Sequence, residues 1–338
     1  MTQLRILKKR PGFVLDVDFP LHEGVTAVYG PPGAGKTLLL DTVAGFVAPD
    51  AGRILLGDAI LFDADTGVNL PPRLRNCAYV GSEDALFPHL TIRKNLIFAA
   101  RRYTRLERHR RVAEMMERFQ LIDKPLRDLA PNDRLRTEIA RALVPEPRLL
   151  LLDERSIDEQ LIRQVRDAFR ASILMVTSDL DLACTVADEL LLLESGKIVQ
   201  RGAPTAVLEH PASIQIARLV GIPNILEASI AELDPGRNTS RLDFSGFSLG
   251  APYIPGHFKG DRVWVAIRAD DLRVYPSAAP APPNSVSARL VKTSNRARGL
   301  RMEFEGSIFA DVPRADFERQ RDNQTWWVEF PVGSIRVL

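Results

Sequence analysis

Gly24-Val25-Thr26-Ala27-Val28-Tyr29-Gly30-Pro31-Pro32-Gly33-Ala34-Gly35-Lys36-Thr37 is the stretch that decides the fold. Its second half, Gly30 to Thr37, is a complete G-x-x-x-x-G-K-T. It follows an apolar strand, TAVYG (26–30), and opens a helical pattern at Lys36–Phe46, the strand–loop–helix context that gives the motif its meaning. Glycines let backbone N–H groups converge on phosphate oxygens, and the helix N-terminus adds partial positive charge. Lys36 is placed to reach β- and γ-phosphates, and the Thr37 hydroxyl to ligate Mg²⁺. The loop Gly30, Pro31, Pro32, Gly33, Ala34, Gly35, Lys36 and Thr37 is therefore read as the nucleotide-binding set. A glycine-rich turn with a chance lysine is the competing reading, and the full motif in this context outweighs it.

Far downstream, Arg148-Leu149-Leu150-Leu151-Leu152-Asp153-Glu154 supplies a buried strand ending in two carboxylates. Asp153 suits contact with Mg²⁺, alongside Thr37, and Glu154 suits activation of a water. Alone the run is unremarkable, since acidic residues often follow leucine-rich strands. Paired with the phosphate loop it gains chemical meaning.

Outward from these motifs the first part of the chain alternates strands and helices. TAVYG (26–30), RILLGD (53–58), AYV (78–80), RLLLLD (148–153), SILMVTS (172–178) and ELLLLES (189–195) read as strands. Helical patterns fall at residues 36–46, 105–120, 133–143, 157–170 and 203–218. After Pro223 the texture changes to alternating segments: RVWVAIR (262–268), VSARLVKT (286–293), GLRMEFEG (299–306) and TWWVEF (325–330). PSAAPAPPNS (276–285) interrupts them as a surface loop or linker. The expectation is an α/β domain over 1–222 and a small all-β domain over 223–338.

Composition agrees with this division. The chain has 338 residues, enough for two domains at ~150 each, and a net charge of +2 leaves no general field for nucleic acid. Cys77 and Cys184 are too few and too distant for a disulfide framework, as in a reducing compartment. The runs Leu149–Leu152 and Leu190–Leu193 fall far short of the ~20 apolar residues that a bilayer needs. The N-terminal charges have no apolar stretch behind them, against a secretory signal. The expectation is an intracellular chain that does not span a membrane.

With these residues in view, the chain resembles the ATP-binding subunits of ABC transporters, and within them the molybdate-importer ATPases. GVTAVYGPPGAGKT, DADTGVNLPP before CAYV, and ALFPHLTIRKNL (85–96) carry the likeness, and residues 1–220 follow the family's order of motifs. The tail from Asn224 resembles the β-barrel regulatory domain such importers carry. The resemblance implies an α/β P-loop NTPase domain of the ABC type with a helical insert at about 90–135, followed by an OB-like, TOBE/Mop-like domain. It implies ATP hydrolysis with Mg²⁺, a homodimer or heterodimer of ATP-binding subunits, and transmembrane permease subunits as partners. It places the protein in the cytoplasm, peripheral on the inner face of the membrane, with an oxyanion as ligand of the C-terminal domain around 285–299. Phe13 stands where the family has an aromatic that stacks on adenine, and equally reads as a core residue of the strand GFVLDV.

Three positions depart from the family. Ser82 stands where a glutamine senses Mg²⁺ and the attacking water, and Ser178 where a histidine holds the γ-phosphate. Leu129-Ala130-Pro131-Asn132-Asp133 replaces L-S-G-G-Q. Pro131 has no N–H to donate, Asn132 adds a side chain where close approach is needed, and Asp133 brings negative charge. Asn132 or Asp133 is read structurally as the cap of the helix that begins there. Two functions stay open: the importer subunit, or a hydrolysis-impaired nucleotide-binding module that regulates a transporter. A soluble ABC protein acting on nucleic acid or ribosomes is disfavoured by the near-neutral charge and the β tail. The arginines at 101–111 read as a solvated helix face, His89 lies beside the family's coupling surface, and one of Trp326 and Trp327 is expected in the core.

Overall fold

The computed structural model of the chain describes residues 2–81, 85–153, 157–169, 171–296 and 299–338. They form two compact units, Met1–Val207 and Leu208–Leu338. In the first, strands β1 (Thr2–Arg10), β2 (Phe13–Leu21), β3 (Gly24–Tyr29), β4 (Ala51–Leu56), β5 (Ala59–Asp63), β6 (Val68–Asn69), β7 (Cys77–Val80), β8 (Leu149–Leu152), β9 (Ser172–Thr177), β10 (Glu189–Glu194) and β11 (Lys197–Gly202) join one sheet. Its order is β6-β5-β4-β1-β2-β11-β10-β3-β9-β8-β7. The block β10, β3, β9, β8, β7 is parallel, whereas β1, β2, β4, β5 and β6 pair antiparallel as a wing. Every residue of β8 and β9 is buried, as strands covered on both faces require.

Helix α1 (Lys36–Ala44) follows β3, and α2 (Ile92–Ala99), α3 (Arg105–Arg118) and α4 (Pro131–Leu143) lie between β7 and β8. Helix α3 starts on a capping box: Thr104 accepts from the Glu107 N–H while the Glu107 carboxylate accepts from the Thr104 N–H. Glu114 pairs with Arg118 one turn on, at 2.7 Å. Arg111 instead leaves the solvated face, lying over the Tyr103 ring and pairing with Glu146. Helix α5 (Glu159–Ala168) is capped by Asp158, and α6 (Leu180–Val186) by Asp179.

Two expectations about helix boundaries need correction. The single helix at 203–218 is two, α7 (Pro204–Glu209) and α8 (Ile214–Leu219), because Pro211 cannot continue the helix and Ser213 caps a new one. Neither Asn132 nor Asp133 caps α4. Ala130 is its N-cap without a side-chain bond, and Pro131 supplies the first helical residue, where a fixed φ and a missing N–H cost nothing. Asp133 sits in the first turn, 3.5 Å from the Lys124 ammonium.

The second unit contains two five-stranded sheets over one core, consistent with a small OB-like, TOBE-type domain. Its strands are β12 (Asn224–Asp234), β13 (Thr239–Phe244), β14 (Phe247–Pro252), β15 (Arg262–Ile267), β16 (Arg273–Pro276), β17 (Ser285–Arg296), β18 (Gly299–Phe304), β19 (Ile308–Val312), β20 (Thr325–Glu329) and β21 (Arg336–Val337). The sheet orders are β14-β13-β12-β15-β21 and β16-β20-β17-β18-β19, and a short helix, α9 (Arg314–Glu318), follows β19. Asn224, 0% exposed, stitches the sheets together. Its Nδ2 donates to the carbonyls of Ile267 (3.1 Å) and Phe309 (2.8 Å), and its Oδ1 accepts from the Phe309 N–H at 2.7 Å. Trp326 is buried beneath β20's inner face, while the Trp327 indole donates to the Ala279 carbonyl. That bond, with those from Asn284 to Gly250 and Phe330, makes the proline-rich stretch an anchored loop of this unit. Residues 294–296, expected in a turn, extend β17 and pair with β18; 297 and 298 lie outside the described residues.

Candidate nucleotide site

The parallel strands deliver the motif residues to one edge of the sheet. β3 ends at Tyr29 before the loop, β8 before Asp153, β9 before Ser178 and β7 before Gly81. Ligands of open α/β sheets bind outside these carboxyl ends. Two loop glycines have steric reasons. A Cβ on Gly30 would lie 2.2 Å from the Leu193 carbonyl oxygen, so only glycine fits against β10. Gly35, with φ +104°, turns the chain into α1, and a Cβ there would lie 2.8 Å from the Phe13 ring. Phe13 is half-buried: its ring packs with the core of the first unit and braces the loop at Gly35. The Gly196 N–H donates to the Ala34 carbonyl (3.0 Å), and the Ala34 N–H to that of Pro31 (3.1 Å), fastening the loop from both sides.

Lys36 is 7% exposed, and its ammonium donates to the Gly30 carbonyl at 2.7 Å and the Pro31 carbonyl at 3.3 Å. The charge thus hangs across the inside of the loop, where phosphate oxygens would meet it. Thr37 is exposed, and its hydroxyl donates to Asp153 Oδ1 at 3.3 Å. Asp153 is 4% exposed and fixed by its own N–H, which donates to the Val80 carbonyl. A hydroxyl and a carboxylate facing each other are the hard oxygen donors that suit Mg²⁺. The residues present fit that ion.

Two residues at this centre escaped sequence reasoning. The Tyr79 hydroxyl lies 3.1 Å from Asp153 Oδ2 and 3.3 Å from Asp41 Oδ1. Asp41 follows Thr37 by one helical turn, so both face the same way from α1. Burial pushes the Tyr79 hydroxyl well above the usual phenol range, and Asp153 and Asp41 push it further. The Asp41 carboxyl is also raised, mainly by burial, with the Tyr79 bond opposing. The spacing of Asp41 from Thr37 puts both on one helix face but names no partner, and nothing in the run AYV (78–80) singles out Tyr79.

A third missed residue holds α1 from its other end. Arg75 is 0% exposed. Its Nη1 donates to the Thr42 and Val43 carbonyls, both at 2.9 Å, its Nε to the Leu70 carbonyl at 2.8 Å, and its Nη2 to Asn69 Oδ1 at 2.8 Å.

Of the residues chosen from sequence, the loop, Phe13, Thr37 and Asp153 come together at this edge. Glu154 and Ser82 lie outside the described residues. Ser178 is exposed at the end of β9. Just beyond Ser82, the Ala85 N–H donates to Oε1 of buried Glu138 on α4. Among the described residues no group of three or more His, Cys, Asp or Glu side chains is placed to hold a metal, and no helix is long and apolar enough to cross a membrane.

The profile of the ABC transporter family matches residues 14–156. The molybdenum import ATP-binding protein ModC of Paramagnetospirillum magneticum is 33% identical over 305 residues, covering 86% of this chain and 82% of its own. The molybdate/tungstate import ATP-binding protein WtpC of Archaeoglobus fulgidus is 37% identical over 212 residues, 59% of this chain and 86% of its own. Among solved structures, cbiO1 from Clostridium perfringens, part of an ABC transporter complex, superposes with a TM-score of 0.54 at 23% identity, covering 64% of this chain and 92% of that one. That likeness is one of fold.

Proposed function

We propose a function from one premise: the chain belongs to the ATP-binding subunits of ABC transporters. It is the ATP-binding subunit of an importer for molybdate or a related oxyanion. It binds Mg-ATP and couples ATP-driven closure of two such subunits to a transmembrane permease, from the cytoplasmic side of the membrane. The observation that carries this reading is the loop from Gly30 to Thr37, with a buried Lys36 spanning it and Asp153 facing Thr37. Similarity to molybdenum and molybdate/tungstate import proteins supports the choice of substrate class.

In this mechanism Lys36 turns from its own loop carbonyls to the β- and γ-phosphates, while backbone N–H groups at the start of α1 hold the remaining oxygens. Thr37 and Asp153 would hold Mg²⁺, which would supply positive charge to offset that of the phosphates. Glu154 takes the proton of the attacking water. Phe13, beside Gly35, flanks the nucleotide at the adenine end.

One observation favours slow turnover, as in a regulatory nucleotide-binding module. Family members use signature N–H groups to contact the γ-phosphate of the opposite subunit, and Pro131 at the first turn of α4 has none to offer. Each lost transition-state contact costs on the order of 10²-fold in rate, without simple additivity. Calorimetry should show Mg-ATP binding that Lys36→Ala severely weakens. Absence of wild-type affinity refutes the nucleotide site. Phosphate release should be slow. It should rise when Ser82→Gln, Ser178→His, Ala130→Ser, Pro131→Gly and Asn132→Gly are combined, and fall again on adding Glu154→Gln. Fast, Glu154-dependent hydrolysis by the unaltered chain would leave a fully active importer ATPase and end the impairment argument.

A further inference from the structure

We infer that Tyr79 is a positioning residue for Asp153, an inference that rests on the Mg-ATP reading of the loop. Both oxygens of the Asp153 carboxylate are engaged, and by different elements. Oδ1 accepts from the Thr37 hydroxyl at 3.3 Å and Oδ2 from the Tyr79 hydroxyl at 3.1 Å. A carboxylate held at one oxygen alone rotates about its Cβ–Cγ bond. Held at Oδ2 from β7, it keeps Oδ1 turned toward Thr37, the side on which a cation shared with Thr37 would sit. Such outer hydrogen bonds orient metal-binding carboxylates and are commonly worth ten- to a hundredfold in metal affinity.

The tyrosine is itself fixed. Its ring meets Phe46 edge-on at 5.4 Å, and Gly81 lies so close that a Cβ there would be 2.9 Å from the ring. Phe46 is tied back in turn, since the N–H groups of Gly45, Phe46 and Val47 all donate to the Asp41 carbonyl. Asp41 Oδ1, at 3.3 Å, is the second acceptor available to the same hydroxyl. A phenol has one proton to donate, so Asp41 competes with Asp153 for it. Removing the hydroxyl while keeping the ring isolates the contact from the packing.

The test is calorimetric titration of the full chain with a non-hydrolysable ATP analogue, in Mg²⁺ and in a chelator. It reads binding and needs no turnover. Tyr79→Phe should leave the metal-free affinity within about twofold of wild type and cut the gain on adding Mg²⁺ by about tenfold. Asp41→Asn, which retains an acceptor carbonyl and removes a competing carboxylate, should keep that gain. Thermal unfolding in chelator shows that both variants are folded. Equal metal dependence in Tyr79→Phe and wild type overturns the inference. So does an equal loss of affinity with and without metal, which would assign the effect to loop packing. A loss of the gain in Asp41→Asn as large as in Tyr79→Phe moves the positioning role to Asp41 and overturns it as well. A wild-type chain that binds no nucleotide in either buffer fails the functional reading first, and is told apart by that.

Discussion

Replacing Arg75 with methionine tests what fastens the helix that begins at the phosphate loop. The guanidinium answers four acceptors: the Thr42 and Val43 carbonyls at the end of α1, the Leu70 carbonyl and the Asn69 side chain. Asn69 is exposed and Leu70 half-buried, so water can replace the arginine there; Thr42 and Val43 are buried and it cannot. The Thr42 carbonyl keeps the Gly45 N–H at 3.3 Å, so the buried Val43 carbonyl is the acceptor left unpaired, at about 1–3 kcal/mol. Loss of a cation at a helix C-terminus adds about 0.5–2 kcal/mol. Against this stands relief from burying a charge, whose cost is visible in the lowered pKa of Arg75. The balance is a loss of about 2 kcal/mol. Arg75→Lys should cost about 1 kcal/mol, because one ammonium cannot span the same four acceptors.

Urea unfolding of Arg75→Met, Arg75→Lys and Asn69→Ala measures the series, with Asn69→Ala within about 0.5 kcal/mol of wild type as the exposed control. Hydrogen exchange gives a local readout: the amides of Gly45, Phe46 and Val47, which close on the Asp41 carbonyl, should exchange faster in Arg75→Met. An Arg75→Met protein as stable as wild type, with these amides still protected, would refute the idea that the guanidinium clamps α1.

Two further outcomes are expected. Burial pushes the Cys77 thiol up to about 12, so at pH 8 only about one molecule in 10⁴ carries the thiolate; native protein should resist iodoacetamide at Cys77 and react once unfolded in urea, and rapid native labelling seen by mass spectrometry would contradict the assignment. Asn224→Ala removes three bonds, two to Phe309 on the other sheet and one to Ile267 on its own, a cost of about 2–4 kcal/mol; a change under 1 kcal/mol in denaturant unfolding would show the stitch to be incidental.

Legibility in the sequence followed the range of the interactions. The loop from Gly30 to Thr37 and the run Leu149–Asp153 could be read because their chemistry depends on neighbours along the chain, and strand, turn and helix carry local patterns. The central strands could be read for the same reason: Leu149–Leu152 is apolar at every position, and β8 is buried at every position. Arg75, Asp41 and Tyr79 could not. Their partners are 32, 38 and 74 residues away in Val43, in the Tyr79–Asp41 pair and in the Tyr79–Asp153 pair, and no local pattern marks a side chain as the one that bridges. The break at Pro211 and the start of α4 failed differently. Both lay in the text, but the apolar period ran on past Pro211, and the preference of asparagine and aspartate for caps hid the equal fitness of proline for the first helical position.

That last residue separates fold from chemistry. A helix beginning at 131 needs an extended residue before it and a helical φ within it, and Ala130 and Pro131 supply both. Nothing in the packing of α4 then distinguishes Ala-Pro-Asn from Ser-Gly-Gly, because Leu135, Ile139, Ala140 and Leu143 bury the same face either way. In the function proposed above, the groups lost are a hydroxyl at 130 and an N–H at 131, and they would matter when a second subunit's nucleotide closes on them. Similarity of fold and 33% identity to an importer protein are therefore compatible with either rate of turnover. The buried face of α4 holds the helix in the fold, whereas the slow turnover proposed above concerns its exposed tip at 130–132, where the packing sets no condition.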